Sequence, residues 1–460
     1  MTKSITILTS RLNYGWVSME EIITWIEDSW KKWAAERSYE CHFFMAEDTS
    51  LNQFVKAGIK SEFIVVTCFN SPISQVLKGF RGSLSIQTPW VYYLHGLASF
   101  GCWPLFNWGI GELINTHDLF IGSCSRDKKQ FELIFKNIDC RIIPFSLDVK
   151  KNIPQRNSSQ IIRLAFIGRI SSQKNLHTLL VAASQLKKKF ELHFFGKPDD
   201  YGSPLVGRRE KDYQVDLETL SQELKLKNVF FHGFMKREEI ERLMDSELWT
   251  FIAPSIHSDE NFGMAAFRCL LNGHQVILSD WGGHADYPAH FPTQVKLLPV
   301  KSSDIGPYIS VAELVNAIEA SVNHSVGPSQ MPDYYSERSI HQHFDAIRKR
   351  MEERNNLKSA PLEVTTLLQK ILTNRNSYLT KNEKSEGIQI FEDYRDELLQ
   401  EFFRTYGMRH LPESEKDNMV PVPWVTVTDD GYTVHDPHRG IFQLKKDADL
   451  LNCGLLYSKN

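Results

Sequence analysis

Short apolar runs and amphipathic stretches alternate along the first third of the chain. SITILTS, ECHFFMA, EFIVVTCF, WVYYLHG, DLFIGSCS and CRIIPFSL are rich in β-branched and aromatic residues and predict strands. MEEIITWIEDSWKKWAAER, between the first two, carries apolar positions at helical spacing and predicts an amphipathic helix. Alternation of this kind predicts a parallel sheet covered on both faces. Near Lys150 the pattern breaks into KKNIPQRNSSQ, a polar, Pro-containing linker by composition. Strands and helices then alternate again from IRLAFIGR through FELHFFGK, VFFHGF and LWTFIAPS to HQVILSD. A charged helical stretch, SERSIHQHFDAIRKRMEERNN, follows, and from about Leu357 the character changes. Two more helical patterns lead to VPVPWVTVTDDGYTVHDPHRGIFQL, which predicts strands around an Asp-Gly turn. The expected organisation is an α/β domain over 1–152, a second over 153–356, and an α+β extension over 357–460. Ligands of open parallel sheets bind beyond the carboxyl ends of the strands, so a cleft between the two α/β domains is the expected site.

Composition narrows the class. The chain has 460 residues, 42% apolar and 24% charged, with a formal net charge of −3. That balance supplies no global field for nucleic acid or an acidic membrane. No apolar run reaches the roughly 18–20 residues of a spanning helix, and MTKSITILTS is too short in apolar residues for a signal peptide. Cys41, Cys68, Cys102, Cys124, Cys140, Cys269 and Cys453 are scattered and never form a C-x-x-C pair. They read as free thiols of a reducing compartment, which makes the cytoplasm the expected location.

Two stretches carry chemistry. In FIGRISSQKN a strand runs into Gly168–Arg169, with Lys174 five residues on at the start of a helix. Glycine admits close backbone approach, arginine offers a planar fork for phosphate oxygens, and lysine adds a charge near a positive helix end. A solvated basic loop would have the same sequence. In SDENFGMAAFRCLLNG, Glu260 precedes a helix beginning near Gly263, whose amides from Asn261 to Met264 suit a phosphate or sugar oxygen. Glu260 suits sugar hydroxyls; its bland alternative is a carboxylate complementing the helix dipole, worth up to about 1 kcal/mol.

Taken together, in this order and context, the two stretches resemble the family 4 retaining glycosyltransferases, whose GT-B fold has two Rossmann-like domains facing across a cleft. The likeness runs roughly from Ile5 to Asn356 and is strongest from Leu164 to Asp286, through LAFIGRISSQKN, ELHFFGK, VFFHGFM, APSIHSDENFGMAAFRCLLNG and VILSDWGGHAD. It implies that Arg169 and Lys174 hold the donor diphosphate beside Gly168. Glu260 would contact the donor sugar, with the amides of Asn261, Phe262, Gly263 and Met264 next to it, and Gly233 would face the nucleobase. In the first domain it implies that Gly15, on the loop TSRLNYGW, lies near the diphosphate and that His95, in YYLHG, contacts the donor sugar.

Departures from the family pattern are specific. Phe145–Ser146 stand where a Pro-Asn-Gly turn is usual, and Asp286 where glutamate is commoner. Arg268 stands eight positions after Glu260, where the family carries a ribose-binding glutamate. Arginine has no acceptor, so either Arg268 donates to ribose or phosphate oxygens, or it pairs elsewhere and another group serves the ribose. A charged residue on an exposed helix face is the third reading. CWPLFNWG, with Trp103, Phe106 and Trp108, is either an acceptor-facing or membrane-dipping aromatic loop or buried packing. His435, Asp436 and His438 have a spacing that suits a metal, though a polar turn explains them equally.

The expected activity is therefore metal-independent transfer of a sugar from a nucleotide-diphosphate sugar, of the UDP or GDP type, with retention. The acceptor would be a carbohydrate, lipid-linked or protein hydroxyl. No further cofactor, metal or nucleic acid is expected. Peripheral membrane contact and a protein partner for the extension remain open, as do a non-catalytic nucleotide-sugar scaffold and a nucleotide-sugar epimerase.

Overall fold

The structure is a computed structural model. It describes residues 3–11, 17–95, 111–147, 161–198, 213–245, 247–256, 260–303, 306–321, 331–354, 359–367, 369, 397–409, 419–421, 425–429, 431–436, 440–445 and 456–458. The chain forms two compact units.

The first unit is built on strands β1 (Ser4–Thr9), β2 (Glu40–Met45), β3 (Ile64–Val66), β4 (Trp90–Tyr93), β5 (Leu119–Gly122) and β6 (Cys140–Ile142). They form one parallel sheet in the order β2-β1-β3-β4-β5-β6. β1, β3, β4 and β5 are buried along their whole length, as strands covered on both faces must be. The helix Val17–Glu36 presents Ile22, Ile23, Ile26, Trp30, Trp33 and Ala34 to the interior. Asp118 grips Arg81 through two bonds of 2.5 and 2.6 Å and also accepts the Trp90 amide at 2.9 Å, so a buried ion pair ties the residues before β5 to β4.

The second unit is built on β7 (Ile162–Ile167), β8 (Phe190–Phe195), β9 (Val229–Phe231), β10 (Thr250–Ala253), β11 (Gln275–Ser279) and β12 (Val295–Leu298). Its parallel sheet runs β12-β11-β10-β7-β8-β9, the doubly wound Rossmann order, with the reversal between β7 and β10. Two parallel six-stranded sheets are what the strand–helix alternation predicts.

The division of the chain is not the colinear one expected at 152 and 356. Unit 1 is Met1–Asp148 with Met331–Leu372, and unit 2 is Val149–Gln330 with Thr373–Asn460. The charged helix Glu337–Arg354 returns to the first unit because one face of it is not charged. Phe344 stacks flat on Trp30 at 3.8 Å, and Asp345 takes the Arg37 guanidinium at 2.5 and 2.7 Å. Arg354 donates to the Asp118 carbonyl at 2.7 Å and to Asp139 at 2.5 Å.

Part of the extension is inseparable from the second unit. Beyond β12, strands β13 (Val300–Ser303) and β14 (Gly306–Ile309) pair antiparallel, and β15 (Met408–Arg409) joins β13 in parallel. The helix Glu397–Tyr406 precedes β15 and sends Phe403 and Tyr406 into the same apolar core as Trp281, Leu298 and Val300. Short strands β16 (Met419–Pro421), β17 (Val425–Thr428), β18 (Gly431–Asp436), β19 (Gly440–Lys445) and β20 (Leu456–Ser458) follow. β17 and β18 make an antiparallel hairpin in which Thr428 pairs with Gly431, so the glycine of the expected Asp-Gly turn begins β18. Among the described residues no helix is long and apolar enough to cross a membrane.

Candidate functional site

In unit 2 the carboxyl ends of β7 and β10 flank the point where the strand order reverses, the place where doubly wound sheets bind ligands. Three glycines line the ends of β7, β8 and β9. The Gly168 amide donates to the Phe195 carbonyl and the Gly196 amide to the Gly233 carbonyl, each at 2.9 Å. A Cβ on Gly196 would stand 1.7 Å from the Gly168 carbonyl oxygen, so the two strand ends meet more closely than any side chain permits. Gly233 has φ +68°, and nothing lies within 4 Å of where its Cβ would be. Arg169 follows Gly168 at the end of β7, half-buried.

Lys174 closes the short 3₁₀ turn Ser172–Lys174, just before the helix Leu176–Ser184. Its ammonium donates to Glu260 Oε2 at 2.5 Å and lies 3.5 Å from Ser255 Oγ. The Ile256 amide donates to the Gln173 carbonyl at 2.9 Å, so the loop after β10 is fastened to this turn by backbone as well. Residues 86 apart in sequence are thereby brought together at the switch point.

Glu260 is 9% exposed, and its other carboxylate oxygen, Oε1, lies 3.7 Å from His284 Nε2. The buried His284 ring has Nδ1 3.2 Å from Ser279 Oγ. Ser279 donates its own proton to the Ser255 carbonyl at 2.5 Å, which leaves its oxygen to accept from Nδ1. The Glu260 carbonyl in turn accepts the Gly283 amide at 2.7 Å. This backbone approach requires glycine: a Cβ on Gly283 would stand 1.8 Å from the Asn261 carbonyl oxygen, and one on Gly282 2.1 Å from that of Glu260.

Gly263 turns the chain into the helix Met264–Leu271 with φ +74°, and its missing Cβ makes room for the His284 ring, 2.9 Å from where that atom would be. The first intrahelical bond is Phe267 N–H to the Gly263 carbonyl at 3.0 Å, so the amides of Met264 and the two alanines after it have no intrahelical acceptor. They form the positive end of the helix, beside Glu260 in the chain. The Tyr287 hydroxyl donates to the Phe262 carbonyl and fixes this start. The Phe262 ring is buried against Phe267 and Tyr287, so what it can offer a ligand is backbone. Asn261 is half-buried, and Arg268 lies one turn beyond Met264, also half-buried. Next to it the Cys269 thiol is pushed up to about 12 by burial, with Glu241 adding to the shift and Arg268 opposing it. A cation, a paired carboxylate and a helix N-terminus at one switch point suit an anion that carries a hydroxyl-bearing group.

In unit 1 the reversal of strand order falls between β1 and β3. His95 follows β4, one strand beyond that reversal, and donates Nε2–H to the Thr67 carbonyl after β3 at 2.8 Å. Burial pushes its pKa down to about 4. The ring is therefore neutral near pH 7, with Nδ1 as a hydrogen-bond acceptor. A row of polar groups absent from the sequence reading accompanies it. Thr67 donates to Thr9 at 2.8 Å, Thr9 to the buried Glu27 at 2.5 Å, and Arg11 grips Glu27 at 2.6 and 2.8 Å. Glu27 was detectable: it falls in line with Ile23 and Trp30 on the apolar face of its helix. His284 was within the quoted WGGHAD stretch, with nothing local to distinguish it from a packing histidine. Gly15, Trp103, Phe106, Trp108 and His438 lie outside the described residues, as do the side chains of His435 and Asp436. Among the described residues no three His, Cys, Asp or Glu side chains are grouped as metal ligands would be.

Residues 149–304, which contain the whole Lys174–Glu260–His284 cluster, match the family model described as "Glycosyl transferases group 1". The alpha-1,3/1,6-mannosyltransferase ALG2 of Kluyveromyces lactis is 26% identical over 240 residues, 44% of this chain and 45% of that protein. The chain thus spans about half the length of the curated relative it matches. Two solved structures share the architecture. Anabaena Alr3699/HepE in complex with UDP and glucose superposes with a TM-score of 0.52 at 16% identity, covering 75% of this chain and 99% of that one. The apo lipopolysaccharide outer core galactosyltransferase WaaB gives 0.51 at 13% identity, covering 76% and 98%. The fold is that of the GT-B glycosyltransferases, with two Rossmann-like domains.

Proposed function

We propose that the protein is a glycosyltransferase that moves a sugar from a nucleotide-diphosphate sugar to an acceptor hydroxyl, with retention and without a metal. The observation that carries this reading is the Lys174–Glu260 pair, 2.5 Å apart at the β7/β10 switch point and next in sequence to a helix N-terminus, inside the segment that matches the glycosyltransferase family model. As the bond from the sugar carbon to the leaving oxygen breaks, charge grows on the diphosphate. Arg169, Lys174 and the helix amides oppose that charge. Glu260, held by Lys174 and by the Gly283 amide, accepts from sugar hydroxyls. Gly233 leaves open backbone for the nucleobase. In unit 1, neutral His95 presents Nδ1 as an acceptor for a hydroxyl. The leaving phosphate oxygen takes the acceptor's proton while the acceptor oxygen bonds to the sugar carbon from the same face.

A carbohydrate or lipid-linked acceptor, met in the cytoplasm or at a membrane surface, fits this chemistry. A thermal-shift panel of UDP, GDP, ADP and their sugars, followed by turnover of Arg169→Ala and Lys174→Ala, tests the proposal. One nucleotide should stabilise the protein by mass action. Each substitution should lower kcat by about 10²–10³-fold, the usual effect of losing one such donor. No stabilisation across the panel, or unchanged turnover in both variants, would sink it and leave the scaffold reading.

A further inference from the structure

The turn that holds Glu260 also meets the C-terminal extension. Gly282, with φ +51°, has both the Glu260 carbonyl and the Tyr406 ring close to where a Cβ would stand, 2.1 Å and 2.7 Å from that position. Tyr406 meets the neighbouring Trp281 edge to face, with ring centroids 5.2 Å apart, and Phe403 adds a second aromatic contact at 6.0 Å. One residue earlier, Asp280 forms an ion pair with Arg409 of β15. β15 itself is fixed by pairing Met408 and Arg409 with Val300 and Lys301 of β13. Asp280, Trp281 and Gly282 are thus contacted by residues more than a hundred positions later. Of the next two residues, Gly283 donates its amide to the Glu260 carbonyl at 2.7 Å and His284 Nε2 lies 3.7 Å from the Glu260 carboxylate.

We infer that Glu397–Arg409 positions the Glu260 loop: Tyr406 and Arg409 press and anchor the Asp280–Gly282 turn so that Gly283 and His284 keep Glu260 in register with Lys174. Tyr406 and Arg409 are positioning residues, and unit 2's ligand site is complete only with this part of the extension. The catalytic consequence rests on the transferase reading above; the structural one does not.

Two measurements on the full chain separate them. The first is hydrogen exchange at the Gly283 amide, followed in the peptide spanning residues 280–286. Tyr406→Leu removes the ring from Gly282 and should speed this exchange about tenfold while the β7 amides stay protected. Arg409→Ala should act in the same direction with a smaller effect. Its ion pair is half in solvent, so the melting temperature should stay within a few degrees of wild type. Tyr406→Phe keeps the ring and should restore wild-type exchange. The second is steady-state kinetics: Tyr406→Leu should lower kcat/KM for the nucleotide sugar by about 10- to 100-fold with an unchanged acceptor KM. Unchanged exchange in both Tyr406→Leu and Arg409→Ala overturns the inference. So does a lowered melting temperature with wild-type kinetics, which would make Tyr406 a packing residue only. If wild-type protein transfers no sugar, the transferase reading falls and the exchange result still decides whether the extension positions the loop.

Discussion

Removing Lys174 should destabilise the second unit in a way that removing Glu260 as well should partly repair. The Lys174 and Glu260 side chains are 13% and 11% exposed and 2.5 Å apart. An exposed pair at that distance contributes about 0–1 kcal/mol. Breaking a fully buried pair costs about 3–5 kcal/mol, because the surviving charge keeps its desolvation cost without compensation. Here the two side chains are 11–13% exposed, so some water reaches the pair. Lys174→Ala should therefore cost about 2–3 kcal/mol, between the two limits. For a unit of this size that is a fall of about 5–10 °C in Tm. In Lys174→Ala/Glu260→Ala the stranded carboxylate is gone, so the double variant should be more stable than the sum of the singles predicts by about 1–2 kcal/mol. Urea unfolding of the four proteins, followed by tryptophan fluorescence, measures the cycle. Additivity within about 0.5 kcal/mol would refute the argument that this pair is an energetic unit.

Two further outcomes follow from single residues. Folded His95 binds its proton only near pH 4, whereas the unfolded chain binds it near pH 6.5. The unfolded state therefore holds more protons between those values. Stability should fall as pH drops from about 6.5 to 4, by up to about 3 kcal/mol in total, and this contribution should level off below pH 4. His95→Gln, which keeps a donor for the Thr67 carbonyl, should flatten that part of the profile of unfolding free energy against pH; an unaltered slope would refute the assignment. Arg268→Glu places a carboxylate acceptor on the half-buried face of the helix Met264–Leu271 and should tighten nucleoside diphosphate binding by about tenfold or more, the worth of a charge-assisted hydrogen bond. Weaker binding, read by calorimetry, would mean that Arg268 itself serves the nucleotide.

The sheets were legible because strands buried on both faces read as continuous apolar runs, as in IIRLAFIG and QVILS. Lys174 and Glu260 were legible as separate residues in their own local contexts. Their 2.5 Å contact was not, since no short-range pattern links positions 86 apart. The destination of the helix Glu337–Arg354 was hidden for a related reason. Its sequence is dominated by charge, and the decisive contact is one phenylalanine stacking on a tryptophan over three hundred residues earlier. β15 is two residues long, too short for any periodicity to register.

Gly282–Gly283 shows how incomplete such a reading is even when it finds the right residues. A glycine pair beside a strand end signals close backbone approach, and the sequence leaves open what approaches. The Gly283 side of the turn faces the Glu260 and Asn261 carbonyls, which local order along the chain suggests. The Gly282 side faces both Glu260 and Tyr406. An alanine at Gly282 would thus collide with the loop that holds Glu260 and with the extension at once, and relief on one side would displace the other. The extension reads from sequence as an appendix, yet it supplies one wall of the turn on which the carboxylate depends. That shared contact is the physical reason to treat residues 397–409 as part of the site's architecture.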